Sequence, residues 1–405
     1  MPCPQGTGRA VYSGPQKWHN MLKWKGNSQK GGPTYSGLGL FMTRDTILVL
    51  GAGATVGGGF RVRINNTDFE PPLDRNLFET PAVESIFNPD DYPALSYYQQ
   101  DPSLEATWAK IDLHHKLCVS KVISEGQTHD KLIQEMDKKA RGDRAYRIKM
   151  EQEKRYWMVP SMAGWEILHL IREVYKNLTP PGDVSPLQTL IDALREKSNL
   201  RAIISFNYDT SVEKILKEVG IPFYYPLLCD EPLPDGALPV IKLHGSLNWQ
   251  TDIRANPPIS VVPASQTAEM DHGVGWYKQP EVIGPTFFKQ EITLDFEIKG
   301  DSRAPYYKRL WGLAWDSIKA ARYGVFVGFS FPQTDFHAAA LFRAAHLNGV
   351  GFHRVILCHK GSINLLNAMR KVFEGRPTQF TEFNNGLESL VYRLDELLAL
   401  LNRLA

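Results

Sequence analysis

Cysteine is scarce in this chain. Its four cysteines, Cys3, Cys118, Cys229 and Cys358, are scattered, and no two form a C-x-x-C pair. That spacing offers neither a structural zinc module nor a disulfide framework, so no metal is expected and a reducing, cytoplasmic setting is. Long hydrophobic runs are also missing. No apolar stretch approaches the roughly 18–20 residues needed to cross a bilayer, and no membrane role is expected. Charge of one sign is lacking as well, with 46 Lys and Arg against 44 Asp and Glu, a net of +2. With no basic–aromatic patch, direct binding to nucleic acid is not expected. Acidic residues are absent from Met1–Phe41, which is rich in Gly, Pro, Ser and Lys and carries Arg9, Lys17, Lys23, Lys25 and Lys30. It has no signal-peptide segment. Residues 1–41 are therefore expected to be a disordered or misassigned tail, with Met42 as the natural start. Without the tail the balance is 41 basic residues against 44 acidic ones, or −3.

Residues 42–405 have the length and the 43% hydrophobic content of one large domain, and no internal repeat is visible. Thr46-Ile47-Leu48-Val49-Leu50 is a short apolar run ending in Gly51-Ala52-Gly53-Ala54-Thr55. It reads as a buried strand entering a glycine turn, where the backbone can approach a ligand and the next helix offers N–H groups to an anion. Three later runs have the same form. Arg201–Phe206 ends at Asn207-Tyr208-Asp209, Val240–Leu243 at His244-Gly245-Ser246, and Val325–Val327 at Gly328-Phe329-Ser330. Val355–Cys358 is a further late strand, with helices following to the C-terminus. Between these lie an aperiodic loop at Asn65–Pro93 and a proline-free, charge-rich stretch at Leu104–Val159. The stretch reads as two or three amphipathic helices, followed by separate helices over Trp165–Leu178 and Pro186–Lys197, the latter capped by Ser185. The helices before Pro180 make a helical insertion over about 95–180. Gln250–Arg303 reads as an irregular, proline-rich excursion. Short buried strands alternating with helices predict an α/β, Rossmann-like, mainly parallel sheet with helices on both faces.

Ligands of open parallel sheets bind beyond the carboxyl ends of the strands, and all four motifs fall at such ends. The glycines do not fit the dehydrogenase fingerprint. Gly-x-Gly-x-x-Gly needs a glycine at 56, where Val56 stands, and Asp68 and Glu70 fall in a loop rather than at a strand end. Hydride transfer is therefore disfavoured.

Taken in order, Gly51-Ala52-Gly53-Ala54-Thr55, Asn207-Tyr208-Asp209, Leu243-His244-Gly245 and Gly328-Phe329-Ser330 resemble the motifs of the sirtuin-like NAD-binding proteins. Pro71–Phe78 resembles the cofactor loop of bacterial branches. The four-cysteine zinc module that follows His-Gly in protein-deacylating sirtuins has no counterpart, because residues 250–303 contain no cysteine. The resemblance therefore implies a bacterial sirtuin-like NAD hydrolase of the anti-phage defence type. It implies NAD as substrate, homo-oligomerisation, and a partner such as a ring-forming ATPase. It further implies that Asn207 orients the attacking water or the ribose and that His244 acts as a base at a ribose hydroxyl. Residues 52–55 would cradle the pyrophosphate with the Thr55 hydroxyl as an added donor, Gly51, Gly53 and Gly245 would also bind the cofactor, and Gly328 and Ser330 would flank the adenosine. Asp74 and Arg75 would close over the cofactor. Asp209 either binds the nicotinamide amide or holds the Asn207 turn in shape. Two alternatives stand beside hydrolysis: a non-catalytic NAD or ADP-ribose sensor, and deacylation or ADP-ribosyl transfer.

Overall fold

The described residues of the computed structural model are 45–98, 103–124, 144–228, 235–252, 259–270, 278–284, 304–332, 335–361 and 363–402. The chain divides into two units, Met1–Met42 and Thr43–Ala405. The expected tail, 1–41, lies outside the described residues.

β1 (Thr46–Leu50) is buried along its whole length. A strand with no solvent face needs mostly apolar, largely β-branched residues, and Thr46-Ile47-Leu48-Val49-Leu50 supplies them. It sits at the centre of a seven-stranded sheet with β5 (Leu200–Ser205), β6 (Phe223–Tyr224), β7 (Leu238–Lys242), β11 (Tyr323–Val327), β12 (Arg354–Cys358) and β13 (Gln379–Phe383). The order is β13-β12-β11-β1-β5-β7-β6, and every pairing in it is parallel. The expected α/β fold is observed. The chain leaves β1 toward β5 on one side and returns to β11 on the other, so the order reverses at β1. Crossovers of one hand then place helices on both faces. Helices Ala52–Gly57, Pro186–Ser198, Gly386–Tyr392 and Leu394–Asn402 pack together on one face; Ala304–Ala320, Phe336–Asn348 and Ile363–Val372 cover the other.

Two smaller antiparallel sheets are added. One joins β2 (Arg61–Ile64), β3 (Thr67–Phe69) and β4 (Leu178–Thr179). The other joins β8 (Gly245–Asp252), β9 (Ile259–Val261) and β10 (Lys278–Val282). The second sheet corrects the reading of 250–303 as irregular, for the part that is described. β8 was hidden because its buried positions include Ser246, Asn248, Gln250 and Thr251, whose polar atoms are satisfied internally. In the insertion, Leu104–Ser124 and Arg144–Tyr175 are helices, and the second runs continuously through Pro160 rather than restarting at Trp165. Ser185 does cap Pro186–Ser198, its Oγ accepting from Leu187 N at 3.2 Å.

On the second face, His346 is fully buried and its Nδ1 accepts from Phe352 N at 3.0 Å. Burial, with Arg376 nearby, lowers its pKa. The unfolded chain, with an ordinary imidazole near pH 6.5, therefore binds more protons than the native state as pH falls below that value. Stability is fully present above about pH 6.5 and declines below it. Urea midpoints at pH 7.5 and 5.5 should differ less in His346→Gln, which keeps an acceptor but does not titrate, than in the parent.

Candidate active site

Two motifs meet backbone to backbone. Gly51 N donates to Val327 O at 3.0 Å and Gly53 N to Gly328 O at 3.2 Å. A Cβ on Gly51 would lie 2.5 Å from Gly328 O, and one on Gly328, whose φ is +62°, would lie 2.3 Å from Ala54 N. The glycines thus let the ends of β1 and β11 cross, and the N–H groups of Gly51 and Gly53 are engaged within the protein. Ala52, Gly53, Gly328 and Ser330 line a cavity of about 430 Å³ at this crossing, in the range typical of ligand pockets. Gly328→Ala should cost about 2–4 kcal/mol, through the positive φ and the backbone collision together. Gly182→Ala, which meets nothing within 4 Å, should cost far less in the same denaturation series.

At the end of β5, Asn207 is buried and its Nδ2 donates to Gly51 O at 3.0 Å and Thr55 Oγ1 at 3.1 Å. Both amide hydrogens are committed, which turns the acceptor Oδ1 to the cavity that Asn207 lines. Thr55 Oγ1 in turn donates to Asp209 Oδ2 at 2.8 Å, and Ser211 N to Asp209 Oδ1 at 2.9 Å. Thr55 and Ala54 therefore do not line the cavity, and the Thr55 hydroxyl is not directed at a ligand. Asp209 holds the Asn207 turn to the glycine helix, while also lining the cavity. Beneath it, the Lys242 ammonium donates to Asp209 O and pairs with Glu213 at 3.0 Å, both side chains being essentially inaccessible.

At the end of the adjacent strand β7, His244 is buried with Nε2 3.2 Å from Asp335 Oδ2. Its ring packs edge-on against Phe206, which stacks on Phe329 with centroids 4.2 Å apart. Asp335 precedes helix Phe336–Asn348 and is nearly inaccessible. Sequence reasoning missed it as a site residue. Its only signal is an acid between Pro332 and a helix start, which ordinarily denotes a cap. The carboxylate thus places a negative charge beside the imidazole. Gly245 does not line the cavity. It has φ +78° and makes the turn from β7 to β8, where a Cβ would lie 2.1 Å from Glu281 O.

The insertion supplies one wall through Leu104, Glu105, Ile171 and Tyr175, beside the Pro72–Arg75 loop. Tyr175 Oη donates to Pro72 O at 2.9 Å, tying helix to loop. Asp74 and Arg75 both line the cavity, with the Arg75 side chain exposed at its rim. Tyr208 and Tyr175 are held well above the ordinary phenol pKa. Burial is the larger cause for both. Asp74, Asp335 and Glu105 then add to it at Tyr208, and Asp209 and Asp74 at Tyr175. This end of the cavity is thus surrounded by carboxylates and favours positive charge. The other end, past β11, is lined by Cys358, His359 and Lys360, which sequence reasoning did not single out. Burial pushes the Cys358 thiol up to about 12, so it should resist alkylation by iodoacetamide at pH 8 in the folded protein. A larger cleft of about 750 Å³ beside Arg63, Lys176 and Lys217 contains none of the motif residues. Among the described residues no group of three or more His, Cys, Asp or Glu could hold a metal ion, and no helix is long and apolar enough to cross a membrane.

No protein-family model matches the chain, and no curated protein matches it in sequence. Among solved structures it is similar to a Sir2 homologue in complex with NAD, at 12% identity over 87% of this chain and 90% of that one, with a TM-score of 0.39. It is similar to Sir2 bound to an inhibitor, 2′-O-acetyl-ADP-ribose and a deacetylated peptide, at 10% identity over 88% and 94%, with a TM-score of 0.37. A sirtuin studied for substrate affinity gives 12% identity over 88% and 95%, with a TM-score of 0.39. At these values the functional reading rests on this chain's own side chains.

Proposed function

We propose that this chain hydrolyses NAD at the nicotinamide–ribose bond, releasing nicotinamide and ADP-ribose. The observation that carries the reading is the convergence of Asn207 and His244, from the ends of the paired strands β5 and β7, on one carboxylate-rich cavity. The leaving group is already cationic, so no strong acid is needed. The barrier lies in the positive charge that grows on the ribose as the C1′–N bond breaks and its electron pair returns to the ring nitrogen. The carboxylates of Asp74, Glu105 and Asp335 favour that charge. Asn207 Oδ1 accepts from the attacking water or a ribose hydroxyl and sets its approach. Water oxygen bonds to C1′, and its proton passes to His244, directly or through a ribose hydroxyl, and then to solvent.

Gly53 and Gly328 support the dinucleotide at the crossing, Ser330 its adenosine side, and Arg75 the rim. In this reading the activity would suit an anti-phage effector that depletes NAD, held silent until oligomerisation or a ring-forming ATPase releases it. The motif resemblance supports that role. The test is nicotinamide and ADP-ribose release from NAD by purified protein, beside Asn207→Ala. Equimolar release that the substitution abolishes supports the reading. Binding without release would favour the sensor reading, and acyl-lysine-dependent release would favour deacylation.

A further inference from the structure

The two ends of the cavity differ in charge. Around Tyr208 stand Asp74, Asp335 and Glu105. Beyond the glycine crossing, the end formed by β12 and the turn after β13 presents His359, Lys360, Gly386 and Leu387. Five strand ends, from β7 to β12, separate His244 from this region. At about 4.8 Å per interval that is roughly 19 Å, room for a ligand with two ring systems lying across the sheet edge.

Lys360 is built into this end. Its stem lies across Gly386, where a Cβ would come within 3.0 Å of Lys360 Cγ and 3.2 Å of Cε. Gly386, at φ +80°, leaves that space open. Among the described residues none forms an ion pair with the Lys360 ammonium. Glu382, on the neighbouring strand β13, is engaged instead by His359, whose Nε2 lies 3.2 Å from Glu382 Oε1. This distribution bears on cofactor choice. A site for an unmodified adenosine ribose presents a carboxylate to the 2′-hydroxyl, whereas a site for the 2′-phosphate presents a cation. Here the carboxylate is engaged and the cation is open to the cavity.

The geometry points to NADP as a substrate of this site, with Lys360 recognising the phosphate on its adenosine ribose. The inference rests on the hydrolase reading, which sets the nicotinamide end at Asn207 and His244. It is distinct from a pyrophosphate contact, because the crossing of β1 and β11 lies between that end and Lys360.

The test measures dissociation constants of ADP-ribose and 2′-phospho-ADP-ribose for the full chain, Lys360→Glu and Lys360→Arg, with thermal melts to confirm folding. These constants do not depend on the protein being catalytically active. The expected result is that the added phosphate tightens binding by about tenfold or more in the parent and in Lys360→Arg, and not in Lys360→Glu. The NADP-to-NAD ratio of kcat/KM should fall in parallel, through KM. Equal weakening of both ligands by Lys360→Glu would place the lysine at the pyrophosphate and overturn the proposal. So would ADP-ribose binding that the extra phosphate does not improve, which leaves the hydrolase reading standing. Binding of neither ligand would overturn both.

Discussion

His244→Ala should lower nicotinamide release by about a hundred- to ten-thousand-fold, the range associated with removing a general base. The loss should fall mainly on kcat, because the proposed site holds the dinucleotide through Gly53, Gly328 and the far end of the cavity rather than through His244. Asp335→Asn should give a smaller loss, since it keeps the shape beside Nε2 and removes only the charge. Removing His244 also leaves the buried Asp335 carboxylate without the imidazole 3.2 Å away. His244→Gln, which keeps a hydrogen-bonding side chain, should therefore melt closer to the parent than His244→Ala while being comparably inactive. If either variant retained parental activity, His244 would not be the base.

The largest expected effect on stability is at Lys242. The Lys242–Glu213 pair is inaccessible to water, and its members are also bonded to the Asp209 carbonyl and to Tyr225 Oη, the latter at 2.9 Å from Glu213 Oε1. A buried pair contributes little net stability, but breaking it leaves one charge without compensation. Lys242→Met should cost about 3–5 kcal/mol. The double variant Lys242→Met, Glu213→Gln should recover much of that, because no buried charge is left alone. The same lysine anchors the Asn207–Asp209 turn, so the double variant should still lose activity relative to the parent. Urea denaturation measures the first effect, and nicotinamide release at matched folded fraction measures the second. A Lys242→Met cost below about 1 kcal/mol would show that the pair is more hydrated than its burial implies.

How much of this was legible in the sequence depends on the length scale of each signal. Strands β1, β5, β7, β11 and β12 are short, mostly apolar runs with at most one position outside the buried core, so the pattern reports them directly. Their carboxyl ends then follow, which is why Asn207 and His244 could be named and do line one cavity. Strand β13, Gln379–Phe383, went unseen because only Phe383 of it is buried and Gln379, Thr381 and Glu382 break any apolar run. β8 went unseen because its buried face is polar. Roles were harder to read than positions. The glycines of Gly51-x-Gly53 were expected to admit a phosphate, yet their tightest neighbour is Gly328, a contact between strands almost three hundred residues apart in the chain. Thr55 was expected to face the ligand, but its hydroxyl donates a hydrogen bond to Asp209, which follows a different strand. Asp335 and Lys360 carried no motif, and only the strand order brings them to the cavity. Local sequence reports burial and turns; partnership across the sheet edge depends on topology.

The central claim is tested most directly by incubating purified protein with NAD and quantifying nicotinamide and ADP-ribose, with Asn207→Ala and His244→Gln alongside. The account predicts equimolar products from the parent and none above background from either variant, all three melting as folded proteins. If both variants released nicotinamide at the parental rate, or if the parent neither cleaved NAD nor was stabilised by it, the account would be contradicted.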